Sequence, residues 1–270
     1  MNTFVRHKTL HWNEKNNSYV EDNVIAEEPL SIRIQGNPYS VVMRTPGEEM
    51  AHVAGFCLAE GIVDSPDDIT AIGFCDNSDT NVVTVTLKES KRKMVSQHLE
   101  RRGFISQTSC GLCGKEIVED LMQVIEPVNS TIKLDTWKAY KCLKNLSHHQ
   151  PLRENTHASH AAALYSSDFE LLTVAEDVGR HNALDKAIGK LFLEHQLQRA
   201  ALLILSSRIS YELVQKAARA RIPVILAMSR PTSLALSLAS ELNITLANMG
   251  RKAGLNIFCG EERLINREKH

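Results

Sequence analysis

Cys110-Gly111-Leu112-Cys113-Gly114 places two thiols two residues apart, with Ser109 ahead and a helix-like stretch, Lys115 to Met122, behind. Thiols at this spacing can share a metal ion, close a disulfide, or hand a sulfur atom from one to the other. A zinc site wants four protein ligands, yet no second Cys-x-x-Cys follows, and His148-His149 stand in a polar stretch without ligand spacing. A thioredoxin-type pair follows a buried strand, whereas the preceding Glu100-Arg101-Arg102-Gly103 is charged. At the start of a helix, the macrodipole and Lys115 favour thiolate. Flanking glycines let the backbone approach a partner closely, which suits a nucleophile that visits two partners.

A second set of reactive side chains lies in the other half of the chain. Apolar strands are expected at 170–175, 201–206, 223–228 and 244–247, alternating with helices at 182–194, 210–220 and 232–241. That rhythm predicts a parallel sheet covered on both faces, with ligands beyond the carboxyl ends of its strands. The polar clusters fall at those ends: Glu176 to Asn182, Ser206 to Glu212, Ser229 to Ser233, and Asn248 to Lys252. Arg180, Arg208, Arg230, Arg251 and Lys252 then stand beside helix starts, where cations and free N–H groups suit phosphate. Asp177 and His181 are placed for acid–base work, and equally for holding the loop by hydrogen bonds; the second reading is preferred. His160-Ala161-Ala162 has Ala where the H-x-E element of zinc deaminases has its general acid–base Glu.

The first half reads as α+β. Leu30, Ile32 and Ile34 alternate with polar residues, Gly36-Asn37-Pro38 turns the chain, and Tyr39 to Met43 returns. Thr45-Pro46-Gly47-Glu48 predicts a helix start with Thr45 as N-cap, and Gly61 predicts its stop. Strands are expected at 69–74 and 82–87. Helices are expected at about 90–101, 115–126 and 135–146. This divides the chain into an N-terminal α+β region, 1–134, carrying the Cys-x-x-Cys loop, and an α/β cofactor-binding domain, 135–270.

With 270 residues, 43% apolar and 23% charged, the chain has the makings of a substantial core, and its net charge of −1 favours neither nucleic acid nor membrane as partner. The N-terminus has no apolar segment of the signal-peptide kind, and a cytoplasmic setting with reduced thiols is expected. The six cysteines are then not a disulfide framework, and Cys57 reads as a buried small apolar residue.

Taken together, Glu27-Glu28-Pro29-Leu30, Thr45-Pro46-Gly47, Ser109 to Gly114, Glu176 to Lys186, Ser210 to Ala217 and Pro231 to Ala235 resemble the FdhD/NarQ family, the formate dehydrogenase accessory sulfurtransferases. The resemblance runs from about residue 24 to 260. It implies a cytidine-deaminase-like three-layer αβα fold without deaminase activity, and a homodimer. It implies that a cysteine desulfurase loads sulfur as a persulfide on Cys110, with Cys113 as the second thiol of the site. That sulfur would pass to the molybdenum cofactor (bis-molybdopterin guanine dinucleotide) for formate dehydrogenase. The cofactor, or a guanine nucleotide in its place, would sit on Met249, Gly250, Arg251, Lys252, Ala253 and Gly254, with Arg180, His181, Arg208 and His160; no resident metal is implied. Ser207, His157 and Ala158 stand where the family pattern has glycine. The rival readings are a cofactor chaperone or insertase without sulfur chemistry, and a small zinc-binding regulatory protein.

Overall fold

The computed structural model describes residues 2–76, 79–92, 125–251 and 253–266. It opens with a two-stranded antiparallel ribbon, β1 (Phe4–Trp12) and β2 (Asn17–Ile25), that the sequence reading did not anticipate. Next comes a four-stranded sheet of β3 (Glu28–Ile34), β4 (Asn37–Arg44), β5 (Ile69–Asp76) and β6 (Asp79–Leu87), in the order β4-β3-β6-β5. The β3–β4 hairpin turns at Gln35 and Gly36, both at positive φ (55° and 79°), a turn that favours glycine.

Helix α1 (Glu49–Ala59) starts later than expected. Its N-cap is Glu48 in the left-handed region at φ 63°, and no side chain caps it. Thr45 is no cap, because its backbone and hydroxyl are committed to the second half of the chain. Residues 89–92 form a helical turn, and 125–126 are not helical. The rest of the two helices expected around the paired cysteines lies outside the described residues.

The second half contains α2 (Thr136–Asn145), capped by the Asp135 carboxylate on the Lys138 N–H, and the short α3 (Pro151–Thr156). A six-stranded sheet follows: β8 (His160–Tyr165), β9 (Leu171–Asp177), β10 (Leu202–Leu205), β11 (Val224–Ala227), β12 (Thr245–Met249) and β13 (Leu255–Cys259). Its order is β13-β12-β11-β10-β8-β9. Helices α4 (Arg180–Leu193), α5 (Tyr211–Arg219) and α6 (Ser233–Glu241) connect the strands. Short strands β7 (Leu134–Asp135) and β14 (Leu264–Ile265) pair with each other.

The sheet is mixed rather than parallel. β8 and β13 are antiparallel to their neighbours, while β10, β11 and β12 run parallel. Because β8 is antiparallel to both β9 and β10, those two point the same way. The strands β9, β10, β11 and β12 therefore end at one edge, and β8 begins there.

Strand alternation divides the core. Leu203 and Leu205 face one apolar cluster with α1, α4, α5 and α6, and Leu202 and Ile204 face a second with Ala139 and Leu143 of α2. The first cluster also takes Leu30, Ile32, Val83 and Val85 from the small sheet, so one core spans both halves of the chain. The hinge of that packing is α1 against α4. A Cβ built on Gly55 would stand 1.9 Å from the Asp185 carbonyl oxygen, and one on Gly189 would stand 1.7 Å from that of Ala51. Only glycine lets the two backbones approach this closely. No described helix is long and apolar enough to cross a membrane.

Candidate functional site at the carboxyl edge of the large sheet

The edge begins with an anchor. Asp177, at the end of β9, is fully buried and its carboxylate is saturated. It accepts from the backbone N–H of Thr45 (3.1 Å) and Gly179 (2.8 Å) and from the Asn182 amide (2.9 Å), and it pairs with the Lys186 ammonium (2.7 Å). Lys186 also donates to the Thr45 carbonyl (2.8 Å), and the Thr45 hydroxyl accepts from the Val178 N–H (3.0 Å). One residue earlier, Glu176 accepts from the Leu152 and Arg153 N–H groups (2.7 and 2.9 Å) and from the Ser159 hydroxyl (2.6 Å). Within α4, Asp185 takes both contacts of the Lys216 ammonium (2.7 and 2.8 Å). A buried carboxylate whose lone pairs are all engaged is scaffold, as preferred above for Asp177.

From that anchor the edge carries polar groups in strand order. His160 opens β8 opposite Asp177, and its Nδ1 lies 3.4 Å from the Ser206 hydroxyl at the end of β10. Burial first, and then the charges of Arg180 and Arg153, press the His160 pKa below the ordinary imidazole value, so a neutral ring stands there. His181, in the first turn of α4, reaches Ser210 (3.2 Å) and Glu212 (3.3 Å), and Ser210 donates to Glu212 (2.9 Å). The His181 hydrogen bond leads the contacts that hold Glu212 down at about 2, so Glu212 is a carboxylate. Ser210 and Glu212 share Nε2 of His181, so this trio lacks the relay of a hydrolase triad, where the carboxylate holds the opposite ring nitrogen.

The cations differ in kind from those of the anchor. Arg208, Arg230 and Arg251 are exposed at the ends of β10, β11 and β12 and make no ion pair among the described residues. Arg180 is half-buried, and its Nε is buried without a hydrogen-bond partner among them. Helices α4 and α5 begin at this edge with no side chain capping their first N–H groups. The loops after β10 and β11 brace each other through Thr232 N–H to the Ile209 carbonyl (3.0 Å) and Ile209 N–H to the Arg230 carbonyl (3.4 Å). After β12, the Gly250 N–H closes a turn on the Gly254 carbonyl (2.8 Å), and β12 pairs in parallel with β11, the strand that leads to Arg230. At ~4.8 Å per strand, the four steps from β12 to β9 span about 19 Å. An extended anion carrying more than one phosphate fits such a row of unpaired donors.

Of the other expected site residues, Cys110, Cys113 and Lys252 lie outside the described residues. Ser207 is buried and its hydroxyl turns to the Arg208 carbonyl (2.8 Å). His157 holds φ 54°, the left-handed backbone a glycine would adopt freely. Arg153 was not singled out in the sequence; its proximity to His160, with its guanidinium on the Ser159 carbonyl (3.0 Å), adds a cation to the edge. A cavity of about 580 Å³ opens at the opposite edge, beside Ala200 and Pro223, away from every one of these groups.

The protein is of the α/β class, and among the described residues its central sheet gathers exposed cations and open helix starts at the carboxyl edge, the place where ligands of such sheets sit. Comparison with known proteins narrows the class. A model of the FdhD/NarQ family matches residues 25–265, and the chain belongs to that family. It is 37% identical over 256 residues to the sulfur carrier protein FdhD of Streptomyces avermitilis, covering 91% of this chain and 90% of that one. It is 38% identical over 259 residues to that of Mycobacterium tuberculosis, covering 90% and 92%. A crystal structure assigned as a formate dehydrogenase accessory protein from Desulfotalea psychrophila superposes with a TM-score of 0.78 at 23% identity, covering 98% of this chain and 100% of that one. At that identity the superposition speaks for the fold.

Proposed function

We propose that this protein is a sulfur carrier in formate dehydrogenase maturation, a cytoplasmic sulfurtransferase acting as a homodimer. The Cys110 thiolate attacks the terminal sulfur of a cysteine desulfurase persulfide. The donor's S–S bond breaks, its cysteine leaves as thiolate, and Cys110 holds the sulfur as a persulfide. The acceptor is the molybdenum cofactor, bis-molybdopterin guanine dinucleotide, bound as substrate at the carboxyl edge. Arg208, Arg230 and Arg251 hold its phosphates, and Arg180 supplies a donor from within. His160, neutral and backed by Ser206, offers a ring nitrogen that takes or gives a proton without adding charge. Cys113 can attack the inner sulfur of the persulfide, releasing the outer one as the Cys110–Cys113 disulfide forms.

The observation that supports this reading is the contrast, among the described residues, between saturated buried charges and Arg208, Arg230 and Arg251, which make no ion pair, together with the unsatisfied Nε of Arg180 on the same edge. The mixed sheet, with His160 leading β8 and buried Ala162 where a deaminase has its Glu, also accords with a cytidine-deaminase-like fold that has lost deamination. The test is complementation of formate dehydrogenase activity by Cys110→Ala and Cys113→Ala separately. Loss of activity with Cys110→Ala is expected. Full activity of both variants would replace sulfur transfer with a cofactor-chaperone role.

A further inference from the structure

Helix α2 covers the face of the large sheet opposite to α1, α4, α5 and α6. It buries Ala139, Tyr140 and Leu143, and the first and last of these join the second apolar cluster against Leu202 and Ile204. Its outer side is of one kind. At about 100° per residue, the exposed Lys144, Trp137, Lys141 and Lys138 fall within an arc of about 120°. Trp137 is 56% exposed, its ring centre 5.5 Å from that of Tyr140, and the Lys141 ammonium stands 5.5 Å from the Trp137 ring centre. Lys144 lies 5.9 Å from the Tyr140 ring centre and Lys138 5.8 Å from that of Phe169. The rings hold the three ammonium groups without neutralising them, and none makes an ion pair among the described residues.

The helix itself contains no Asp or Glu. Asp135, at its N-cap, is engaged by the Lys138 N–H (2.8 Å). Glu170, beside Phe169, is paired with Arg199. Asp168, on the other side of Phe169, is one charge against three. The arrangement works against the helix, because like charges three residues apart repel. Lys138 in the first turn also meets the positive end of the helix dipole. Solvation alone would be served as well by lysines alternating with glutamates, at no such cost.

We propose that this outer face of α2 docks an acidic segment of a protein partner. The proposal rests on the sulfur-carrier reading, in which the chain must meet other proteins, and adds where and by what chemistry one of them is held. Charge selects the occupant: three ammonium groups without counter-ions call for carboxylates and steer an acidic surface toward them. The ring among them supplies an apolar centre, and tryptophan is a frequent anchor of protein interfaces. Lysines three residues apart rise about 4.5 Å along the axis, so glutamates at helical spacing on a partner can meet them in turn. A lipid layer is a poorer match, because helices that lie in one bury a broad apolar face, and α2 spends its own on the sheet.

Trp12 and Trp137 are the only tryptophans, so Trp12→Phe leaves Trp137 as sole reporter in the full-length chain. The probe is a fluorescein-labelled helical peptide with glutamate and leucine along one face, followed by anisotropy and by Trp137 emission. Saturable binding that shifts this emission to the blue and weakens with added salt is expected. Lys141→Glu/Lys144→Glu should raise the dissociation constant at least ~10-fold, and Trp137→Ala, read by anisotropy, ~30-fold. Arg208→Ala/Arg230→Ala should leave it within about threefold, since those arginines lie at the carboxyl edge. No saturable binding, binding without the emission shift, or equal affinity of Lys141→Glu/Lys144→Glu overturns the proposal. So does an emission shift given by phosphatidylserine vesicles and not by the peptide. Persulfide on Cys110 after incubation with a cysteine desulfurase is measured on the same wild-type preparation. Its presence alongside any of these contrary results removes the docking face and leaves the sulfur-carrier reading standing, whereas its absence removes that reading itself.

Discussion

The two sets of charges at the large sheet differ in what surrounds them. Asp177, Lys186, Asp185 and Lys216 are buried, and each is closed by named partners at 2.7–3.1 Å. Arg208, Arg230 and Arg251 are exposed, on neighbouring strands, with no ion partner among the described residues. Breaking a buried pair leaves a charge without water or counter-ion, whereas removing an exposed arginine removes only what it binds. The first set locks Thr45 and α1 to β9 and α4, and the second is the set proposed to hold the ligand. On that proposal, stability and binding fall to different residues of one sheet.

Substitutions can break that division, and the largest effect belongs to the locked set. Lys186→Met strands Asp177 and is expected to lower unfolding stability by ~3–5 kcal/mol in urea titration. Gly189→Ala forces α1 and α4 apart and is expected to lose ~2–3 kcal/mol in the same assay. The pH dependence has the same origin. Burial, and then Lys186, Lys216 and Arg44, drive the His52 pKa well below the imidazole range. The unfolded chain therefore takes up a proton below about pH 6.5 that the folded chain refuses. Stability is full above that pH and falls as pH drops below it, by up to ~1.4 kcal/mol per pH unit from His52 alone. His52→Gln should flatten that slope in unfolding measured between pH 7 and 5.

The open set should respond the other way. Arg208→Ala or Arg230→Ala should change stability by less than ~0.5 kcal/mol. Each should weaken binding of a guanine nucleotide about tenfold by calorimetry, as expected for one charge-assisted hydrogen bond. The smallest effect tests a departure from the family pattern. His157→Gly relieves a left-handed backbone and should stabilise by ~0.5 kcal/mol, read as a raised midpoint of thermal unfolding.

Much of the division was legible in the sequence because apolar strands and polar junctions alternate with a regular rhythm. The strands at Leu202, Val224 and Thr245 and the helices between them lie where the runs predict. Their common edge survives even though the sheet is mixed. β8 was missed because His160-Ala161-Ala162-Ala163 carries neither β-branched nor aromatic residues, and its burial comes from its neighbours on either side. Thr45 reads locally as a cap, and only a contact 132 residues away claims it. The β1–β2 ribbon shows no one-sided alternation because neither of its faces rests on the core. In the site, residue types announced anions, but which charges were spent internally depended on long-range pairing that no spacing encodes.

The account stands on sulfur carried by Cys110 leaving at the arginine-lined edge. Its most direct test is mass spectrometry of Cys110 after loading by a cysteine desulfurase, before and after the molybdenum cofactor is added. The wild-type chain and Arg208→Ala/Arg230→Ala should both gain the mass of one sulfur atom on Cys110, and only the wild type should lose it promptly to the cofactor. Loading that persists in Cys110→Ala, or unloading of the arginine variant at the wild-type rate, would contradict it.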